Sequence, residues 1–377
     1  MGWTDLIDTE ITMDNFEYDF NYLGYFNDIF NFNISMDPLN NTYHDCEQYN
    51  IKSFTKVFLP IFFSTIFIVG LLGNTLTIAV YQRNRQTLAL TDILILYLSI
   101  ADILLVGTLP FWAVEAVKGW IFESFACKVF GALFNINFNS GIYLLAGISI
   151  QRYLSIVHAV RMHNKPRSLL VHVSCWAVWF FCHLLAIPDF IYLKKIKMND
   201  TWQCQYNFEA QTAKKWMVGL RFLTHIISFL IPLTIMFYSY FMIILTLRES
   251  QNMQRKKEVR AIKVIVMVVS AFLLCWVPYH VVILIDTLLR VGVIGRSCAI
   301  ESTLDIAISI TSCLGYFHCC LNPFLYAYAG VKFRRNLLQI FCDIGCITHK
   351  TVKKYAKSIT KDSMSQCQSG ETTNSGF

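Results

Sequence analysis

Residues 57–80 read VFLPIFFSTIFIVGLLGNTLTIAV, and no charged side chain interrupts them. The run exceeds the roughly 20 residues that a helix needs to cross a bilayer. Six more apolar stretches follow: Ile93–Val114, Val129–Ile150, Ser168–Pro188, Phe222–Leu247, Val264–Ile285 and Ile306–Gly330. Only Ile93–Val114 holds a charge, Asp102. These stretches are too long and too uniformly apolar for barrel strands, and helices satisfy their own backbone in lipid. The expected fold is an all-α membrane protein, a seven-transmembrane helix bundle. A short amphipathic eighth helix is expected around Phe333–Phe341.

Composition agrees. Of 377 residues, 55% are hydrophobic and 15% charged. Soluble domains carry about a quarter charged residues. The net charge of +7 averages two opposite ends. Residues 1–51 hold ten acidic side chains and no Lys or Arg, whereas the C-terminal end is basic and hydroxyl-rich. Nucleic-acid binding is not expected of a chain dominated by membrane segments. The expected organisation is an acidic outer tail at 1–53, the bundle at 54–330, the surface helix at 331–342 and a cytoplasmic Ser/Thr-rich tail at 343–377.

Charge also orients the chain. Six basic side chains lie in 248–263, three in 161–167 and three in 332–335, against a cluster at Lys194, Lys195 and Lys197 on the other side. The balance places the N-terminus outside. Acceptor sequons at Asn33, Asn40 and Asn199 fall on that outer side. Met1–Glu10 has no apolar core, so the first span is expected to direct its own insertion. Of thirteen cysteines, Cys46, Cys127, Cys204 and Cys298 are assigned to outer regions, where oxidising conditions favour pairing. Three pairings of the four are open, and Cys127–Cys204 with Cys46–Cys298 is the preferred one. The first would pin a loop, Asp189–Lys215, over the bundle. Cys342 and Cys346 follow the amphipathic stretch and are candidates for palmitoylation. No loop shows Cys/His spacing that suits zinc, and no cofactor is expected.

Polar groups inside spans need a reason, because a charge in lipid is costly. Asp102 sits mid-span, and Asn74, Asn137, His318 and Asn322 in other spans are placed to face it. A sodium ion at Asp102 is one reading of such a cluster, and a hydrogen-bonded network is the other. Pro110, Pro278 and Pro323 each remove a backbone hydrogen bond within a span, which permits a kink.

The ordered set Gly73-Asn74, Leu98-Ser99-Ile100-Ala101-Asp102, Cys127, Arg152-Tyr153, Trp176, Cys275-Trp276-Val277-Pro278 and Asn322-Pro323-Phe324-Leu325-Tyr326 resembles the rhodopsin-like G-protein-coupled receptors. Thr108-Leu109-Pro110-Phe111-Trp112-Ala113, Tyr153–Ala159 and Gly315–Pro323 narrow the likeness to the chemokine receptors. Gly131–Phe138, Ile187–Ile191 and Cys204–Phe208 point to the CXC branch. The likeness implies a CXC chemokine as ligand, a heterotrimeric G protein as inner partner, leukocyte guidance as role and the plasma membrane as location. It implies an activation network of Asp102, Asn137, Arg152, Tyr240, Trp276, Pro278, Asn322, Pro323 and Tyr326.

One residue departs from the family. Gln151 stands where an acid usually precedes Arg152. Glutamine hydrogen-bonds but makes no ion pair, and charge-assisted bonds are roughly twice as strong. G-protein coupling with raised basal activity, ordinary coupling, and an atypical receptor that removes chemokine without such coupling are the alternatives.

Ten acids without a base steer a basic partner towards the outer tail. Tyr18, Tyr22 and Tyr25 sit in that tail, and Tyr18 lies between Glu17 and Asp19, a context that suits sulfation. Trp112, Glu115, Asp189, Arg221, Asp286, Glu301 and Asp305 are assigned to the outer span ends as receivers of the ligand, with Arg221 pairing an acid when ligand is absent. Inside, the basic segments are candidate contacts for G protein or anionic membrane lipid. Ser363, Ser365, Ser369, Thr372, Thr373 and Ser375, phosphorylated, would offer arrestin a negative patch. A transporter is the distant alternative, but no internal repeat exists and only Asp102 lies deep. A Ser140/His318 membrane protease is set aside because Phe138 stands where a glycine is usual. The chain is not expected to be an enzyme.

Overall fold

A computed structural model describes residues 34–35, 44–45, 49–83, 88–158, 167–198, 201–209, 211–249, 254–295, 297–352 and 354. Seven helices are long and apolar enough to cross a membrane: Lys56–Arg83, Leu90–Lys118, Ser124–Val157, Leu169–Tyr192, Ala213–Arg248, Val266–Val291 and Cys298–Tyr328. The third span is central, packing on the second, fourth, fifth and sixth, while the first and seventh meet and close the ring. Large apolar side chains such as Trp176, Phe180 and Leu274 face outward. Asn74, Asp102, Asn137 and Asn322 are buried. This is the arrangement that lipid as solvent selects.

Prolines shape the spans. The second span is two helices, Leu90–Val106 and Leu109–Lys118, and Pro110 sits in the first turn of the latter. The hydrogen-bond loss expected at Pro110 is therefore corrected, because an N–H in the first turn has no partner within the helix to lose. Pro188 starts the last turn of the fourth span in the same way, over Ile187–Tyr192. In the fifth span the ladder widens to a π-helix at Thr224–Leu230, just before Ile231-Pro232. Pro232 has no N–H to give, and one wide turn absorbs the defect. Pro278 and Pro323 lie within continuous helices.

Two expected boundaries are corrected. The outer loop does not begin at Asp189, which lies in the helical turn Ile187–Tyr192. Nor does the fifth span begin at Phe222, because its helix starts at Ala213 and contains Arg221. Charged side chains ended the apolar reading in both places, yet the helices continue because protein groups satisfy those charges. Strand Leu193–Met198 then pairs antiparallel with Thr201–Tyr206, with Lys195 opposite Cys204. A second, shorter antiparallel pair joins Ile34–Ser35 to His44–Asp45. After the seventh span, helix Val331–Asp343 is tied back by Lys332 to Asp92 at 3.1 Å and by an Arg83–Asp343 ion pair. Phe333 fills the space between Tyr81 and Tyr326.

Candidate functional site

The hairpin roofs the bundle. The Cys127–Cys204 disulfide anchors it, with Cα atoms 5.5 Å apart. The Cys204 amide donates to Glu115 Oε1 at 2.7 Å, and the Lys195 amide donates to Ser124 Oγ at 3.2 Å. The Trp120 amide donates to the Trp202 carbonyl at 2.6 Å. Gly119 has φ +77°, and a Cβ there would sit 2.6 Å from that same carbonyl, so only glycine allows the approach. Cys298 is also disulfide-bonded. Its expected partner Cys46 lies outside the described residues, as do Tyr18, Tyr22, Tyr25, Asn33, Asn40, Asn199 and the tail hydroxyl residues.

Beneath the roof a small, partly open cavity is lined by Asn135, Asp189, Tyr206, Arg221, His225 and Tyr279, among others. Asp189 accepts from Asn135 Nδ2 at 2.7 Å and from the Tyr206 hydroxyl. Arg221 pairs with Asp286 and donates to Thr287 Oγ1 at 3.1 Å. Arg290 Nε binds the same Asp286 oxygen at 2.8 Å. Asp189 and Arg221 therefore share one cavity, and Asp286 joins it through Arg221. Glu115 is turned to the hairpin backbone, and Trp112 packs on Trp120 at 5.4 Å within an aromatic cluster. Glu301 and Asp305 are buried in the first turns of the seventh span. A cation entering this cavity must exchange partners with groups already engaged.

Deeper, Asn322 Nδ2 donates to Asp102 Oδ2 at 2.9 Å. Asn74 Nδ2 bridges the Gly70 and Cys319 carbonyls, and Asn137 Nδ2 donates to the Leu133 carbonyl. A small cavity touches Asp102, Asn137, Trp276, His318 and Cys319. The side-chain oxygens of Asn74, Asn137 and Asn322 have no hydrogen-bond partner among the described residues. Of these oxygen donors, Asp102 and Asn137 line the cavity, so a hard cation there would meet one carboxylate and one amide. Trp276 lines this deeper cavity with Phe138, their rings 4.4 Å apart.

Gly315 faces that indole, and a Cβ there would lie 2.7 Å from two of its ring atoms. Gly315→Ala should cost about 1–3 kcal/mol, as overpacking does. A lower thermal unfolding midpoint in detergent checks this, and an unchanged midpoint would mean Trp276 yields freely.

On the inner side Arg152 Nη2 donates to Thr91 Oγ1 at 2.9 Å. Half-buried Gln151 takes no part in that bond. The Ser149 and Tyr240 hydroxyls lie 3.1 Å apart. Tyr326 is buried nearer Phe333. Sequence reasoning missed Thr91, Arg290, Tyr206 and Asn135. Arg290 had a signal, since it stands four residues after Asp286 on one helix. Thr91 had none, because a hydroxyl at a helix start is commonplace.

The pattern defined as the 7 transmembrane receptor (rhodopsin family) matches residues 73–326. The chain is 44% identical over 335 residues to C-X-C chemokine receptor type 3 of Homo sapiens, covering 88% of this chain and 89% of that protein. The Bos taurus type 3 receptor is likewise 44% identical, over 336 residues, with 88% and 89% covered. C-X-C chemokine receptor type 5 of Homo sapiens is 37% identical over 321 residues, covering 84% of this chain and 86% of that one.

Proposed function

Because this chain belongs to the rhodopsin family of seven-transmembrane receptors, and within it to the CXC chemokine receptors, we propose that it binds a basic CXC chemokine and signals to a heterotrimeric G protein. It is a multi-pass plasma-membrane receptor and not an enzyme. The observation that carries the binding reading is the roofed cavity, where Asp189 and the Arg221–Asp286 pair hold buried charge beneath a disulfide-anchored hairpin. A basic ligand terminus takes over carboxylates now bound to Arg221, Tyr206 and Asn135. Trp112, Glu115, Glu301 and Asp305 complete that region in this reading.

The N-terminal 53 residues lie outside, and the acidic tail with Tyr18, Tyr22 and Tyr25 captures the ligand first, sulfated at Tyr18. Asn33, Asn40 and Asn199 carry glycans, and Cys46 pairs with Cys298. Binding tips Trp276 and the Asp102, Asn137, Asn322 and Tyr326 groups, with sodium favouring the resting state. The sixth span then swings outward, with Pro278 as its hinge, and the seventh adjusts at Pro323. Arg152 leaves Thr91 for the G protein, with Tyr240 beside it. Gln151 leaves this lock without an ion pair, so basal signalling is raised. The helix beginning at residue 331 lies on anionic lipid, and the phosphorylated tail from 343 onward recruits arrestin. Likeness to type-3 and type-5 receptors gives the scavenging alternative no support.

The test is direct. Cells expressing the chain are given a panel of basic CXC chemokines, and G-protein activation and ligand uptake are recorded together. Activation is expected for at least one ligand. Neutralising Glu17, Tyr18 and Asp19 together should weaken its binding about tenfold and flatten the salt dependence. Uptake without activation would reject the signalling reading.

A further inference from the structure

The fifth and sixth spans bring together two histidines that the receptor reading does not use. His225 lies in the π turn Thr224–Leu230 and lines the outer cavity. His280 lies in the sixth span, two residues beyond Pro278. Their exposures are 8% and 4%, and their ring centres stand 5.2 Å apart. None of the four ring nitrogens has a hydrogen-bond partner among the described residues. Buried polar groups are normally satisfied, so four orphan nitrogens in one contact point to a ligand. π turns also concentrate at functional positions, and this one supplies His225.

We infer that His225 and His280 form a binding site for a divalent transition-metal ion of the zinc class, bridging the fifth and sixth spans. Neutral imidazole is the commonest metal ligand and needs no deprotonation. The spacing agrees with coordination. With Zn–N near 2.05 Å and each ring centre about 1.15 Å behind its nitrogen, a tetrahedral angle separates the centres by about 5.2 Å. His280 stacks on Phe229 at 4.0 Å, which fixes its ring plane. A half-turn about Cβ–Cγ exchanges nitrogen and carbon edges without leaving that plane, so either edge can be turned to an ion. Water from the cavity, or the Ser228 and Thr224 hydroxyls that line it, completes the shell. Asp189 on the same cavity tempers the repulsion between the ion and Arg221. The bound ion clamps the π turn to the sixth span.

The test uses purified full-length receptor in detergent, titrated with zinc chloride. A saturable rise in the thermal midpoint is expected. His225→Leu and His280→Leu should each weaken the apparent zinc affinity at least about tenfold, the scale for disturbing a metal site. Should either variant fail to fold, electron paramagnetic resonance of the wild-type receptor loaded with Cu²⁺ decides. Coupling to two imidazole nitrogens supports the site. No saturable response, a response surviving in both variants, or copper coupled to fewer than two nitrogens overturns it.

Discussion

Cys204→Ser should leave little or no receptor able to bind chemokine at the cell surface. The Cys127–Cys204 bridge closes a separation of 77 residues and holds the hairpin against the third span. Losing a native disulfide typically costs about 2–5 kcal/mol. In this chain the loss spreads to bonds that join the hairpin to its surroundings. Among them are the Cys204 amide to Glu115, the Lys195 amide to Ser124 and the Trp120 amide to the Trp202 carbonyl. Two of those bonds hang on strand residues next to the broken bridge. If the hairpin lifts, Tyr206 withdraws from Asp189 and the cavity loses its roof. Ser124→Ala is the control, since it removes only the acceptor of the Lys195 amide and leaves the bridge intact. Surface antibody staining and labelled-chemokine binding check both variants. The control should bind within a few-fold of wild type, and near-normal binding by Cys204→Ser would refute the role given to the bridge.

The bundle was legible in the sequence because lipid imposes one requirement that composition displays, a helix-long run without charge. The same rule blurred the outer ends. It stopped the fourth span at Pro188 and started the fifth at Phe222, although helices run through Asp189 and Arg221. Near the membrane surface a charge is tolerated when protein answers it, and the answering groups lie far off in the chain. Asp189 is met by Tyr206 and Asn135, Arg221 by Asp286. Such pairs depend on packing, which no local pattern records. Arg152 is the sharpest case. The sequence directs attention to Gln151 beside it, whereas the structure turns the guanidinium to Thr91 at the start of the second span. His225 and His280 were equally silent, since a π turn sets the direction of the first.

Breaking the Arg221–Asp286 pair from its two ends should give unequal results. Both side chains are nearly inaccessible, at 1% and 6%. Removing one partner of a buried pair typically costs about 3–5 kcal/mol, because the other charge keeps its desolvation penalty. Asp286→Ala takes away the carboxylate that Arg221 and Arg290 share, so two guanidiniums lose their common counter-charge. That variant should fall at the upper end of the range. Arg221→Met leaves Asp286 with Arg290 at 2.8 Å, so its cost should be smaller by roughly half. The double variant Asp286→Leu with Arg221→Met replaces the charges by packing and should recover much of the lost stability. Function should not follow stability. If a basic ligand terminus must displace Arg221 to reach Asp286, the double variant is stable yet activated far less by chemokine. Thermal midpoints and chemokine dose–response curves on the same preparations separate the two quantities. Recovery of potency along with stability would show that the pair only holds the fold, and the ligand's cation would have to be received elsewhere.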